Sequence, residues 1–361
     1  MKILILANDS GGVYHFRHEL IEELQKENEI AISVPDGAFI DILSKMGVKC
    51  INTPVDRRGT NPITDIRLFF NYIKIVKSEA PDLVITYTIK PNLYGGIVCR
   101  IGKISYVVNI TGLGTTFQKE GILRTSVIRL YKTALKKANI VFFENDENRK
   151  LFIDEAIVKE KKTYLLMGAG VNLSHFQVAY YPEGDVTKFL FMGRVMKEKG
   201  INELFLAMKR LVDEKQQVEL IILGQLEENY REEIQRYESE GWLHYYGIQK
   251  DVRPFIAESH CFVLPSWHEG MANTNLESAA SGRPVITSNI HGCLEAVIDG
   301  ETGFLVERKN ADDLYKIMKK FVALPYEVRK EMGLAGRKHM ENVFDKKKVV
   351  SDTVKVIMEN L

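Results

Sequence analysis

Short apolar runs alternate with amphipathic stretches of helical period from Lys2 to Leu166, and the alternation begins again at Lys188. Strand-like runs lie at Lys2–Ala7, Ile30–Val34, Cys50–Thr53, Leu83–Tyr87, Tyr106–Ile110, Val141–Asn145 and Lys162–Leu166. Helical stretches such as Val13–Lys26 and Ile63–Lys77 separate them. Strands of continuous apolar character need cover on both faces, and helices between successive strands supply it, so the order predicts a parallel sheet. The second series has strands at Lys188–Arg194, Glu219–Leu223, Leu243–Tyr246, Cys261–Leu264 and Val285–Thr287. Between the series, residues 171–186 contain Pro182 and Gly184 and few core residues, as a linker would. The expected fold is α/β, with two doubly wound Rossmann-like domains facing a cleft. Residues 1–175 form the first and 176–345 the second. A last helix, 346–361, carries Val350, Val354, Ile357, Met358 and Leu361 at helical spacing and needs an apolar surface, expected on the first domain.

A chain of 361 residues is long enough for two such cores. Its net charge of +1 argues against a general nucleic-acid binder. The first 175 residues hold 24 of the 49 Lys and Arg but only 19 of the 48 Asp and Glu, so the first domain is the more basic. Four scattered cysteines without a Cys-x-x-Cys read as core thiols in a reducing cytoplasm. The apolar start is too short for a signal peptide, and no run approaches a membrane span, which predicts a cytoplasmic protein that meets membrane at most at its surface. Neither strand–glycine turn matches Gly-x-Gly-x-x-Gly, which argues against NAD or FAD. His15 and His18 lack a carboxylate partner pattern and no Asp-x-Asp stands out, so no metal is expected.

Residues 265–284 carry the strongest chemical pattern. An apolar strand, Cys261–Leu264, leads through Gly270 to a helix that Asn273 or Thr274 can cap, and Gly282 ends it. Glu269 lies in the loop and Glu277 on the helix. Eight helical residues correspond to about 12 Å, too far for carboxylates sharing a proton but suited to two ends of an extended ligand. A helix N-terminus adds unpaired N–H groups that favour phosphate. Gly193 and Arg194 begin a second strand–helix turn that reaches Lys199 and Gly200, and its cations can bind a diphosphate without metal.

The combination resembles the retaining nucleotide-sugar transferases of glycosyltransferase family 4, which have the GT-B fold. Gly11-Gly12, Gly-Arg-x-x-x-x-Lys-Gly at 193–200 and Glu-x7-Glu at 269–277 carry the likeness, joined by a late Gly-x-x-Gly turn at 300–303. The resemblance implies that Arg194 and Lys199 hold the donor diphosphate and that Glu269 contacts hydroxyls of the transferred sugar. Glu277 accepts from the ribose hydroxyls. Gly12 and Gly193 lie close to the donor, Gly224 and Gln225 pass the nucleoside, and Ile248 meets the base. The N–H groups around Gly270, Met271, Ala272 and Asn273 bind phosphate or sugar. No cofactor is implied.

In the first domain, many family members end a strand with a His where this chain has Asn109–Gly114. That segment, with Tyr14–Arg17 and Lys90-x-Asn92, resembles a subgroup that adds GalNAc or galactose to sugars on undecaprenyl diphosphate. Arg57, Arg58 and Lys90 are then candidates for the acceptor diphosphate. His15, Arg17, Asn92, Thr111 and Gly112 complete the acceptor set. The helix Leu123–Ala138 has an apolar face and a basic one bearing Arg129, Lys132 and Lys136. It either packs on the core or rests on anionic lipid. The expected reaction is transfer of a GalNAc, Gal or GlcNAc-type sugar from a UDP-sugar to a lipid-linked glycan in surface polysaccharide or glycoprotein assembly. A UDP-sugar 2-epimerase, a transferase for a soluble acceptor and a non-catalytic nucleotide-sugar-binding subunit are the alternatives.

Overall fold

The structure is a computed structural model that describes residues 1–361 apart from 57, 58, 60, 115, 116 and 118–120. It divides into two compact units, Met1–Ala169 with Lys347–Leu361, and Gly170–Lys346. The first runs β1 (Lys2–Leu6), α1 (Ser10–Gln25), β2 (Glu29–Val34), α2 (Ile40–Lys45), β3 (Lys49–Asn52), α3 (Pro62–Glu79) and β4 (Leu83–Tyr87). It continues through α4 (Gly96–Gly102), β5 (Ser105–Ile110), α5 (Ile122–Leu135), β6 (Val141–Phe143), α6 (Asp146–Asp154) and β7 (Thr163–Leu165). The second runs β8 (Thr187–Met192), α7 (Ile201–Asp213), β9 (Val218–Leu223), α8 (Arg231–Ser239), β10 (Leu243–Gly247), α9 (Arg253–Glu258) and β11 (Cys261–Leu264). It continues through α10 (Asn273–Ala280), β12 (Val285–Ser288), β13 (Gly303–Val306), α11 (Ala311–Val322) and α12 (Tyr326–Val343). The last helix is α13 (Lys346–Glu359).

The described strands of the first unit are parallel, in the order β3-β2-β1-β4-β5-β6-β7. Those of the second follow β10-β9-β8-β11-β12-β13. Each sheet begins centrally and reverses direction beside its first strand, the switch at which doubly wound sheets open a crevice at their carboxyl edge. Alternation along β1 shows why both faces are covered. Ile3 and Ile5 belong to one buried cluster and Leu4 and Leu6 to the other. Val350, Val356 and Ile357 of α13 belong to the cluster of Ile3 and Ile5. The second unit has one continuous core built around Phe189, Phe191, Phe205 and Phe262.

Before α4, residues Pro91–Gly95 form a single π-helical turn, and regular helix begins at Gly96. Asn92 anchors this turn. It is buried, accepts from Thr86 Oγ1 at 2.7 Å and donates to the carbonyl of Asn109 at 2.8 Å, which ties this turn to the strand ends. No described helix is long and apolar enough to cross a membrane.

In the second unit, α12 packs on α10 through a bare patch of backbone. A Cβ on Gly333 would stand 2.1 Å from the carbonyl oxygen of Gly282. Gly333→Ala is therefore expected to destabilise by about 1–3 kcal/mol through overpacking. Thermal unfolding should show a lower midpoint, whereas Gly300→Ala, where added bulk meets no atom within 4 Å, should cost only the strain of its left-handed backbone.

Candidate active site

Adjacent parallel strands β8 and β11 release two loops at their carboxyl ends. After β8, the Gly193 N–H donates to Leu223 O at 2.9 Å and the Val195 N–H to Gln225 O at 2.8 Å. A short 3-10 turn over Lys197–Lys199 then enters α7 through Gly200, whose φ is +74°. A Cβ at Gly200 would lie 2.0 Å from Pro265 O, so backbone conformation and close approach both require glycine. That contact brings the two loops together. Lys199 Nζ donates to Glu269 Oε1, and Ser266 Oγ donates to the same oxygen at 2.7 Å. Both charged side chains are largely shielded, with 17% of Lys199 and 11% of Glu269 exposed. Trp267 braces the loop between them, donating from its backbone to Glu198 O at 2.9 Å and from Nε1 to Glu203 at 3.1 Å.

The start of α10 differs from expectation. Ala272 occupies the capping position, and no side chain caps the helix. The Ala272 N–H donates to Gly292 O at 2.7 Å, which pins the chain before Asn273, and Asn273 becomes the first helical residue. Its Oδ1 is buried without a partner. Ala272 and Asn273 thus spend their N–H groups internally, the latter on Met271 O at 3.0 Å. The N–H groups of Met271 and Thr274 have no partner among the described residues. Glu277 is half-buried, and its carboxyl has no hydrogen-bond partner among the described residues. Burial pushes this carboxyl up to about 7, while the Lys346 ammonium draws it down.

Gly224 is held by its N–H donating to Gly247 O and its carbonyl accepting from the Tyr245 hydroxyl, both at 2.8 Å. Beside it, a cavity of about 460 Å³ is lined by Gln225, Arg231, Gln235, Tyr245 and Ile248, among others. Arg194 is exposed at the mouth of its loop, with no ion-pair partner among the described residues. Ser266, Arg231 and Lys346 were not singled out from sequence. Ser266, three residues before Glu269, carries a local signal as a hydroxyl beside a key carboxylate. Nothing in the spacing connects Lys346 to Glu277. No cluster of three metal-ligating side chains occurs among the described residues.

The first-unit candidates are mostly engaged with one another's neighbours. Arg17 is nearly buried, pairs with Glu144 at 2.5 Å and lies 4.8 Å over the Tyr87 ring. Lys90 donates to Asp65 at 2.6 Å and to Gly59 O at 2.8 Å. The Gly12 N–H is taken by the Asp9 carboxylate at 2.8 Å, so the start of α1 is capped by the chain's own anion. Asn92 is scaffold in the sense described above. His15 is exposed and edge-on to Phe39 at 4.7 Å. Thr111 and Gly112 are half-buried beyond β5. Arg57 and Arg58 lie outside the described residues. On the helix expected either to pack on the core or to rest on anionic lipid, Tyr131, Ala134, Leu135 and Ala138 are buried in the core, Leu123 is exposed and Arg124 pairs with Glu155. Exposed Arg129, Lys132 and Lys136 leave its outer side basic.

Two doubly wound units, the second with facing cation and carboxylate loops at its carboxyl edge, are the GT-B architecture of sugar-transferring enzymes. Residues 179–339 match the family model of glycosyl transferases group 1, and residues 2–145 match that of glycosyl transferase 4-like proteins. The chain belongs to glycosyltransferase family 4 and is a glycosyltransferase. It is 27% identical over 332 residues to N,N'-diacetylbacillosaminyl-diphospho-undecaprenol alpha-1,3-N-acetylgalactosaminyltransferase of Campylobacter jejuni, covering 87% of each chain. It is 27% identical over 299 residues to UDP-Gal:alpha-D-GlcNAc-diphosphoundecaprenol alpha-1,3-galactosyltransferase of Escherichia coli, covering 76% of this chain and 75% of that one. The crystal structure of Anabaena Alr3699/HepE in complex with UDP and glucose shares the fold, with a TM-score of 0.83 at 17% identity over 99% of this chain and 100% of that one.

Glu277 ties the site to pH. Its carboxyl ionises near 4.5 in the unfolded chain and near 7 in the folded one. Between those values the folded protein keeps a proton that the unfolded chain has lost. The stability from this group is therefore full below about 4.5 and is lost as pH rises through about 7. Glu277→Gln removes that loss. Without ligand, the variant should gain on the wild type between about pH 5 and pH 8, reaching about 1–3 kcal/mol in denaturant melts.

Proposed function

We propose that this enzyme is a retaining transferase that moves a GalNAc, Gal or GlcNAc-type sugar from UDP to a sugar carried on undecaprenyl diphosphate. It would act in assembly of bacterial surface polysaccharide or glycoprotein glycan, peripherally at the inner face of the cell membrane. The acceptor and donor classes are those named for the Campylobacter jejuni and Escherichia coli relatives, matched over most of this chain. The observation that carries the donor reading is the Lys199–Glu269 pair, fixed by Ser266 and set beside the unpartnered N–H groups at the start of α10.

In this reading the bond between the anomeric carbon and the diphosphate breaks, and UDP leaves with the electron pair. The acceptor hydroxyl bonds to the same face of that carbon, and its proton passes to the leaving phosphate oxygen. Arg194 and Lys199 stabilise the negative charge that grows on the diphosphate, helped by free N–H groups of Met271 and Thr274. Glu269, held in one orientation, accepts from a hydroxyl of the transferred sugar and positions it. Glu277 accepts from the ribose hydroxyls, which supply the partners its carboxyl lacks. The cavity at Gln225 and Ile248 takes the uracil, with Gly193 and Gly224 letting the backbone approach. On the acceptor side, His15 is exposed enough for direct contact, while Arg17 and Lys90 shape the surface through Glu144 and Asp65. No metal takes part.

Glu269→Gln keeps an oxygen that can accept from Lys199 and Ser266 but removes the charge. Turnover at saturating UDP-sugar should fall by about 10²-fold or more, with folding intact. The assay is a panel of UDP-sugars with a short-chain polyprenyl diphosphate sugar; full turnover by the variant would exclude the positioning role. Product formed without acceptor would instead indicate epimerisation. Chelation by EDTA should leave the wild-type rate unchanged, and a loss restored by a divalent cation would refute the metal-free mechanism.

A further inference from the structure

Helix α3 has two sides in opposite conditions. Leu68, Tyr72 and Val76 are buried in the first unit's core. On the other side, Ile63, Ile66, Phe70 and Ile73 are 67%, 57%, 55% and 37% exposed. Their spacing of three, four and three residues aligns them in one stripe, as about 3.6 residues per turn requires. Arg67, Lys74 and Lys77 are exposed along the same side and have no ion-pair partner among the described residues. The acids of α3 are turned away from it. Asp65 pairs with Lys90 and accepts from the Tyr94 hydroxyl, and buried Glu79 pairs with Lys2 and Lys49. The outward face is therefore apolar and purely cationic over about 21 Å, the length of fourteen helical rises.

Water-facing surfaces rarely carry a line of large apolar side chains without a partner. A partner of neutral apolar character would match the stripe but leave the cations unanswered. An anionic bilayer answers both, with acyl chains under the isoleucines and phenylalanine and headgroup phosphates beside the basic residues. We propose that α3 is the surface by which this enzyme docks on an anionic lipid bilayer. Helix α5 has turned Ile128, Tyr131, Ala134 and Leu135 to the core and leaves Leu123 exposed at its start, without a stripe like that of α3. The purpose of docking rests on the lipid-linked acceptor reading, but binding to lipid is measured without donor or acceptor.

The test is sedimentation of the full-length protein with vesicles of phosphatidylcholine alone or of phosphatidylcholine and phosphatidylglycerol in equal parts. Wild type should sediment with the anionic vesicles and much less with the neutral ones. Ile66→Glu with Phe70→Glu should lower the bound fraction by about tenfold or more. Arg67→Glu, Lys74→Glu and Lys77→Glu together should lower it by about 10²-fold, at roughly fivefold for each basic residue. Arg129→Glu with Lys132→Glu on α5 should change it by less than about twofold on the same scale. Circular dichroism and melting check that each variant is folded, and turnover of a water-soluble short-chain acceptor should persist in the α3 variants. Absence of wild-type binding to anionic vesicles, or unchanged binding by the α3 variants, would overturn the proposal even if transfer to the soluble acceptor is observed. So would wild-type self-association that Ile66→Glu with Phe70→Glu abolishes, which would give the stripe to a second copy of the chain.

Discussion

Lys199 and Glu269 face each other because β8 and β11 are neighbours in a parallel sheet, and their loops leave the same edge. The approach is close enough that only hydrogen fits at Gly200, beneath the carbonyl of Pro265. A shielded ion pair of this kind is strong only where both groups keep fixed partners. Ser266 supplies one, and Trp267 holds the loop that carries them. The result is a carboxylate whose orientation is settled before any ligand arrives. Preorganisation is what an electrostatic transfer site requires, since groups that must turn during the reaction lose part of their effect.

Glu277 represents the opposite condition. It sits on a helix rather than in a braced loop, and burial raises its carboxyl because no donor compensates it. The chain stores an unfavourable group there, and a ligand with hydroxyls at that position would relieve it. The same contrast separates the units. Cations of the first unit singled out from sequence, Arg17 and Lys90, already have carboxylate partners, whereas Arg194 of the second is exposed and unpaired among the described residues. The more open electrostatics lie where the donor reading needs them.

Helices α3 and α5 look alike as sequence, since each has apolar residues at helical spacing and several cations. Packing makes them different. The apolar side of α5 closes over the core with Tyr131 and Leu135. In α3, a second apolar line remains after Leu68, Tyr72 and Val76 have been used. Helical periodicity identifies apolar faces but cannot say which of two is covered.

Much was legible before the structure. Continuous apolar strands alternating with helices require a parallel sheet covered on both sides, and the restart at Lys188 requires two of them. The glycines and charged residues at 193–200 and 269–277 follow apolar strand runs and mark the turns into the next helices, because glycine allows a sharp turn and charge is costly to bury. Tertiary structure alone decided which charges meet. The family resemblance assigns Lys199 to phosphate and Glu269 to sugar, yet parallel pairing of strands some seventy residues apart joins them to each other. It also placed Lys346 near Glu277, gave Arg17 to Glu144, and moved the start of α10 by bonding Ala272 to Gly292. Local pattern fixes the period and the ends of elements, because those depend on near neighbours. Charge partners and exposed faces depend on contacts across the sheet, and those exist only once the chain has folded.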